Sequence, residues 1–306
     1  MFAAAQVHED LEIDCTRRID VYGAIQQLGI QIMFRPLKGC AGAYFPKSSG
    51  APGILLHAGH PPRLQRYTAA HELGHHVLEH GHSLDSTASM FRAPTRSNTR
   101  IEMLAEAFAA WFLMPPELMD ELVGLMGLQP PFLPWQIYAL SLRLGASYTA
   151  TCLQLSNLRM ISPDETRRLM DVTPRAVKEQ ISMGAGFDRR RDVWLIDEAT
   201  LEEPLNASPG DAIVLRGGDE PSPYQPPLWA NGGGCERVEA VPAHFLASFQ
   251  VPTPEARVRW DVEFVDERSG AVKAAVRLEV DPPRNGLLTR EDTSGKQMRI
   301  RVVVEG

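Results

Sequence analysis

The chain has 306 residues, and at about 150 residues per domain this length favours two or three domains. Apolar residues make up 44% and charged residues 23%, which excludes a disordered or collagen-like chain. The net charge of -7 argues against a protein that mainly wraps nucleic acid. No apolar run approaches the roughly 18 residues that a transmembrane helix needs. The N-terminal sequence does not resemble a secretory signal, and four scattered cysteines favour free thiols. We therefore expect a cytoplasmic protein that does not enter a membrane.

The first part of the chain mixes helical and strand-like patterns. Apolar residues at helical spacing predict a helix over residues 16–29, ended by Gly29. Short apolar runs separated by Pro, Gly and Ser predict strands at residues 30–34, 42–45 and 53–57. These patterns together favour an α+β fold with a small sheet.

A longer helix follows the predicted sheet. Pro61 and Pro62 favour its first turn, since a proline there loses no intrahelical hydrogen bond, and it should continue to His80 with Gly81 as its cap. Residues 83–100 are polar with little periodicity, which predicts a long loop. Two more helices are predicted, at residues 99–114 and 117–126.

The rest of the chain changes from helical to strand-like patterns. Residues 134–170 predict two or three short helices arranged like a helix-turn-helix, although a generic helical hairpin has the same pattern. Strand-like runs then follow at residues 193–196, 211–216, 256–265, 271–280 and 297–304. A hairpin turn is predicted at residues 268–270 and a long loop at residues 217–234.

These patterns divide the protein into three predicted parts. Residues 1–130 form a mainly helical domain with a small sheet, and residues 131–184 form a helix-turn-helix-like segment packed on it. Residues 185–306 form a β-rich domain, for which we expect a sensing or substrate-recognition role.

Residues 71–75 read His-Glu-Leu-Gly-His, an HExxH motif inside the predicted long helix. His71 and His75 are four residues apart, so their imidazoles lie on one helix face and can bind one cation. Glu72 can reach water at the metal without being a ligand itself. Gly74 costs roughly 0.5–1 kcal/mol in a helix interior relative to alanine, which favours a close approach of another segment there.

A catalytic zinc site uses three protein ligands, so two histidines do not complete it. The candidates for the third ligand are His76, Glu79, His80, His82, Glu102 and Glu106. His80 would lie on the opposite side of a straight helix from His71. Glu102 and Glu106 are four residues apart on the next predicted helix, so one can ligate the metal while the other orients a ligand histidine. Glu102 also fits a capping box with Thr99, and these alternatives stay open at this level.

Two segments resemble the ImmA/IrrE family of regulatory metallopeptidases: residues 63–75 and residues 102–115. The second segment contains the sequences Phe-Ala-Ala and Leu-Met-Pro. The resemblance covers roughly residues 15–170. It implies a gluzincin-type peptidase in which His71, His75 and Glu102 bind Zn²⁺ and Glu72 is the general base. Such a ligand set also accepts Mn²⁺ or another divalent ion.

The resemblance further implies a narrow protein substrate, a helix-turn-helix transcriptional repressor cleaved in a stress or mobile-element response. Tyr44 and His82 are the candidates for stabilising the oxyanion. One departure from the family pattern is Glu106, where the family usually has Asn.

Two other interpretations belong to different functional classes. The protein could be a DNA-binding regulator with a structural metal, or a partner that binds a repressor without cleaving it. Residues 148–158 contain no Lys or Arg for phosphate contacts, so we do not expect direct DNA binding.

Overall fold

A computed structural model of the chain describes residues 1–80, 83–86, 99–182, 190–196, 205–207, 211–216, 241–242, 246–250, 258–265, 272–280 and 298–305. The described residues fall into two compact units. The first unit contains Met1–Leu122 and Leu144–Ser162. The second unit contains Val123–Arg143 and the described residues from Pro163 onward.

Helices dominate up to Ser182, and strands dominate after it. The helices are α1 (Phe2–Asp10), α2 (Val21–Gln27), α3 (Pro62–Val77), α4 (Thr99–Leu113), α5 (Pro116–Leu125), α6 (Pro134–Leu144), α7 (Tyr148–Asn157), α8 (Pro163–Met170) and α9 (Pro174–Ser182). The strands are β1 (Gln31–Arg35), β2 (Cys40–Phe45), β3 (Gly53–His57), β4 (Ser83–Ser86), β5 (Val193–Ile196), β6 (Leu205–Ala207), β7 (Ala212–Arg216), β8 (Val241–Pro242), β9 (Leu246–Gln250), β10 (Val258–Val265), β11 (Val272–Val280) and β12 (Met298–Glu305). The predicted α+β class is confirmed.

The first unit contains a four-stranded sheet in the order β1-β3-β2-β4. Strands β1 and β3 are parallel, with Ile32 opposite Ile54, whereas β2 is antiparallel to both β3 and β4. The prediction of a loop from residue 83 was wrong at its start, because Ser83–Ser86 pairs with β2. Polar residues without an alternating pattern can form an edge strand when a neighbour supplies the hydrogen bonds. Residues 87–98 lie outside the described residues.

Helix α3 packs against the sheet and against α4. Leu73 on α3, Leu56 on β3 and Phe112 on α4 are all fully buried. Burying one such side chain stabilises the fold by about 1.5–3 kcal/mol, so these apolar contacts hold α3 in place.

Gly74 allows α3 and α4 to approach each other closely. A Cβ at this position would lie 3.1 Å from Phe108 Cδ1 and 3.2 Å from both the Cα and the carbonyl oxygen of Ala105. The expectation that Gly74 makes room for another segment is therefore confirmed, and that segment is the backbone of α4.

Two helix predictions differ from the structure near the N-terminus. Helix α2 begins at Val21 instead of residue 16, because the Asp20 side chain caps it by accepting a hydrogen bond from the Gly23 N–H at 3.0 Å. Helix α1 was not predicted from the sequence. It packs on α4, where His8 Nε2 lies 3.0 Å from the Phe112 carbonyl oxygen.

Helix α7 of the first unit contacts α4 through a polar bond. The Gln154 side chain is fully buried and donates a hydrogen bond to the Met114 carbonyl oxygen at 2.9 Å. The inner face of α7, which includes Cys152 and Leu155, is also fully buried. This face of α7 therefore packs against the rest of the first unit.

In the second unit, the strands form a three-stranded sheet in the order β5-β7-β9 and a five-stranded sheet in the order β6-β12-β11-β10-β8. Strands β10 and β11 are antiparallel, with Val262 opposite Val276. Tyr138 anchors the start of β5, donating to Asp192 Oδ1 at 3.0 Å and accepting from the Val193 N–H at 3.1 Å. The predicted turn at residues 268–270 and loop at residues 217–234 lie outside the described residues.

The three-part division at residues 130 and 184, and a separate β-rich domain over residues 185–306, remain predictions. Within the described part of the chain, no helix combines the length and the apolar character that a membrane crossing requires.

The close contact at Gly74 predicts an unusual response to alanine. Alanine normally stabilises a helix by about 1 kcal/mol relative to glycine, but overpacking a core costs about 1–3 kcal/mol. We expect Gly74→Ala to lower the free energy of unfolding in urea. The matched control is Gly124→Ala on α5, where nothing lies within 4 Å of the added Cβ and stability should rise. Equal stabilisation by both variants would contradict the close approach.

Candidate metal centre

Helix α3 presents His71 and His75 on one buried face. Their exposed fractions are 3% and 1%, and the two Nε2 atoms lie 3.0 Å apart. The four-residue spacing aligns them, and the helix holds both rings at fixed positions. Two facing imidazole nitrogens at this distance need either a shared proton or a cation between them.

Helix α4 brings a carboxylate to the same point. Glu102 Oε2 lies 3.2 Å from His71 Nε2 and 3.5 Å from His75 Nε2, and 27% of the Glu102 side chain is exposed. The carboxylate thus faces the imidazoles, whereas the capping-box alternative needs the Thr99 side chain, which lies outside the described residues. Within the described residues, His71, His75 and Glu102 are the group whose donor atoms converge closely enough for a metal ion.

The spacing of the three donor atoms fits a small divalent cation. A tetrahedral ion with ligands at about 2.0–2.1 Å separates its ligand atoms from one another by about 3.3 Å. The observed separations of 3.0, 3.2 and 3.5 Å bracket this value. Two neutral nitrogens and one carboxylate oxygen are also the donor set of catalytic zinc sites that keep an open position.

Glu72 follows the first histidine and is completely buried. Strand β2 passes close to it, since a Cβ on Gly42 would lie 3.0 Å from Glu72 Oε1 and would also clash with Thr68. Glycine at position 42 therefore leaves space for the Glu72 carboxylate next to the sheet.

The other candidate ligands have different surroundings. Glu79 and Glu106 are exposed. His76 Nδ1 lies 2.9 Å from the Tyr44 hydroxyl, and burial lowers the pKa of His76 and raises that of Tyr44. Both side chains are therefore neutral near pH 7. His82 lies outside the described residues, so an oxyanion role for Tyr44 or His82 remains a prediction.

The expectation that His80 lies opposite the metal face was wrong. Helix α3 ends at Val77, and Glu79 adopts a left-handed conformation with φ of 55°. The His80 N–H then donates to the His75 carbonyl oxygen at 2.8 Å, and the Glu79 N–H donates to the His76 carbonyl oxygen at 3.1 Å. This pair of bonds is a Schellman motif, which turns the chain back toward the helix.

As a result, His80 contacts a residue of the site. Its Nδ1 lies 3.0 Å from His75 Nδ1, and burial lowers its pKa. In an unbroken helix, His80 would lie on the side away from His71, which is why the helical pattern does not predict this contact. The sequence gives no strong signal that α3 ends at Val77, because the left-handed residue after the helix is Glu79 and not the usual glycine.

Comparison with known proteins agrees with this geometry. Residues 25–155 match the family model of the IrrE N-terminal-like domain, a peptidase family. The match supports the resemblance to the ImmA/IrrE family seen in the sequence, over this shorter range. These residues are therefore similar to a domain of a peptidase family.

Two curated relatives match part of the chain. The radiation response metalloprotease IrrE of Deinococcus deserti is 35% identical over 99 residues, which are 32% of this chain and 34% of that protein. The protein of the same name from Deinococcus radiodurans is 32% identical over 99 residues, or 32% of this chain and 29% of the relative. The chain thus spans about a third of the length of the curated relatives that it matches.

Removing single carboxylates tests which one is a ligand. We expect Glu102→Ala to lose most of its bound metal, because two imidazoles alone leave the ion without its anionic ligand, whereas Glu106→Ala keeps about one ion per chain. The measurement is elemental analysis of the purified variants beside the wild type. Full occupancy in Glu102→Ala with loss in Glu106→Ala would reverse the assignment.

Proposed function

We propose that this protein is a zinc-dependent endopeptidase that cleaves a specific protein substrate. The observation that carries the proposal is the convergence of His71 Nε2, His75 Nε2 and Glu102 Oε2 within 3.5 Å of one another, beside the buried Glu72. Mn²⁺ or another divalent ion is the alternative occupant, because this donor set binds several of them.

The chemistry divides between the ion and the protein. A bound divalent ion would supply Lewis acidity, which would polarise a peptide carbonyl and lower the pKa of water so that hydroxide is available as the nucleophile near neutral pH. Glu72 accepts the proton from the attacking water and donates it to the leaving amine. The surrounding core fixes the Glu72 carboxylate, so little reorganisation is needed when the substrate binds.

We propose a helix-turn-helix transcriptional repressor as the substrate, cleaved in a stress or mobile-element response. This proposal rests on the similarity of residues 25–155 to the IrrE N-terminal-like domain and on the name of the relatives, radiation response metalloproteases. A repressor substrate in turn favours the cytoplasm as the location. We also propose that residues 1–130 carry the peptidase activity and that residues 185–306 form the β-rich part that senses a ligand or recognises the substrate.

A DNA-binding regulator with a structural metal is less well supported. Helix α7 is the segment that would contact the duplex, and it has no Lys or Arg to bind phosphates. Its inner face packs within the first unit, with Gln154 bonded to the Met114 carbonyl oxygen. These features favour a structural role for α7.

Glu72→Gln separates catalysis from metal binding. The amide cannot accept a proton, so we expect cleavage to fall at least about 10²–10⁴-fold while metal content and the unfolding midpoint stay close to those of the wild type. Cleavage is measured by mass spectrometry of a candidate helix-turn-helix repressor after incubation with each variant. Glu121→Gln makes the same chemical change at an exposed position of α5 and should cleave normally. Undiminished cleavage by Glu72→Gln would remove Glu72 from the proposed role.

A further inference from the structure

Both ring nitrogens of His75 have close neighbours. Its Nε2 lies 3.0 Å from His71 Nε2 and 3.5 Å from Glu102 Oε2. Its Nδ1 lies 3.0 Å from His80 Nδ1. The two nitrogens of an imidazole point in different directions, so His80 contacts His75 at the nitrogen that does not face His71 and Glu102.

We propose that His80 is a positioning residue that fixes the tautomer and the ring orientation of His75 for metal binding. The inference rests on the proposed function, because it requires His75 Nε2 to be a metal ligand. It assigns to His80 a role that lies outside the three ligands and the general base.

The tautomer follows from the donor and acceptor inventory of imidazole. A ligand histidine must present an unprotonated Nε2, so its proton is on Nδ1 and needs an acceptor. His80 Nδ1 lies at hydrogen-bond distance from His75 Nδ1. His75 therefore donates, His80 accepts with the lone pair of Nδ1, and the proton of the neutral His80 is on Nε2.

The backbone fixes this contact in advance. The Schellman motif at the end of α3 joins the His80 N–H to the His75 carbonyl oxygen at 2.8 Å, so the same two residues are connected by a main-chain bond and a side-chain bond. The left-handed Glu79 between them sets the direction in which His80 returns. His80 is half-buried, which limits competition from water for the His75 Nδ1 proton.

The test measures metal affinity with Zn²⁺ alone, by competition with a chromophoric chelator, so it does not depend on knowing the substrate. Loss of a hydrogen-bond partner of a ligand histidine typically weakens metal affinity by about 10–100-fold, and we expect this loss in His80→Ala. His80→Asn should restore affinity close to that of the wild type, because the Asn Oδ1 can accept a hydrogen bond near the position of His Nδ1. Thermal unfolding of the metal-free variants should match that of the wild type.

His60→Ala is the matched control. His60 is also half-buried and contacts a histidine ring, with its centroid 4.3 Å from that of His57, but it is not near any candidate ligand in the described contacts. Its Zn²⁺ affinity should equal that of the wild type.

The outcomes separate this inference from the proposed function. Three outcomes would each overturn the positioning role and leave the proposed metal centre unaffected. In the first, His80→Ala binds Zn²⁺ as tightly as the wild type. In the others, His80→Asn or His60→Ala loses as much Zn²⁺ affinity as His80→Ala. A wild type that binds no Zn²⁺ would overturn the proposed function and this inference together.

Discussion

The arrangement of the centre depends on the close contact between α3 and α4 at Gly74. Because Gly74 has no side chain, the backbone of Ala105 can pack closely against α3. A Cβ on Gly74 would lie 3.2 Å from the Cα and the carbonyl oxygen of Ala105, which is an unusually short contact. Glu102 is one helical turn before Ala105, so the same contact determines whether its carboxylate reaches the two histidines. A wider helix separation would leave Glu102 at the surface and two imidazoles facing each other without an anionic partner.

Polar bonds in the first half of α3 complement this contact. The Arg66 guanidinium is buried and its Nη1 donates to the Ile19 carbonyl oxygen at 2.8 Å, while the buried Gln65 side chain donates to the His57 carbonyl oxygen at 3.0 Å. Charge-assisted and buried hydrogen bonds of this kind are costly to break, because the partner would remain without a bond in a low-dielectric interior. They fix α3 relative to the end of β3 and the chain before α2, so the histidines lie on a rigid element.

Three ionisable side chains of α3 lie together in the core, at a cost to the stability of the fold. Glu72, His71 and His75 are buried together, and burying ionisable groups is unfavourable unless they are paired. A divalent ion would offset that cost by binding the folded chain and not the unfolded one. Strand β2 contributes through Gly42, whose missing side chain leaves space for the Glu72 carboxylate.

The local features of this protein follow from patterns in its sequence. The HELGH spacing identified two ligand candidates on one face of a helix, and the four-residue spacing of Glu102 and Glu106 placed two acidic candidates on one face of the next helix. Helical and alternating patterns also indicated the α+β class and three strands of the first sheet. These features depend on residues close together in the chain, where periodicity is a direct consequence of backbone geometry.

The contacts between segments that are far apart in the chain depend instead on the tertiary structure. It brought Glu102 Oε2 to within 3.5 Å of the Nε2 atoms of both histidines, because the rotation and separation of α4 depend on packing at Gly74 and not on spacing within α4. It revealed β4 as an edge strand, since that segment takes its hydrogen bonds from β2 and has little pattern of its own. It also brought His80 back to His75, because the end of α3 depends on one left-handed residue, Glu79, that local propensity does not favour there.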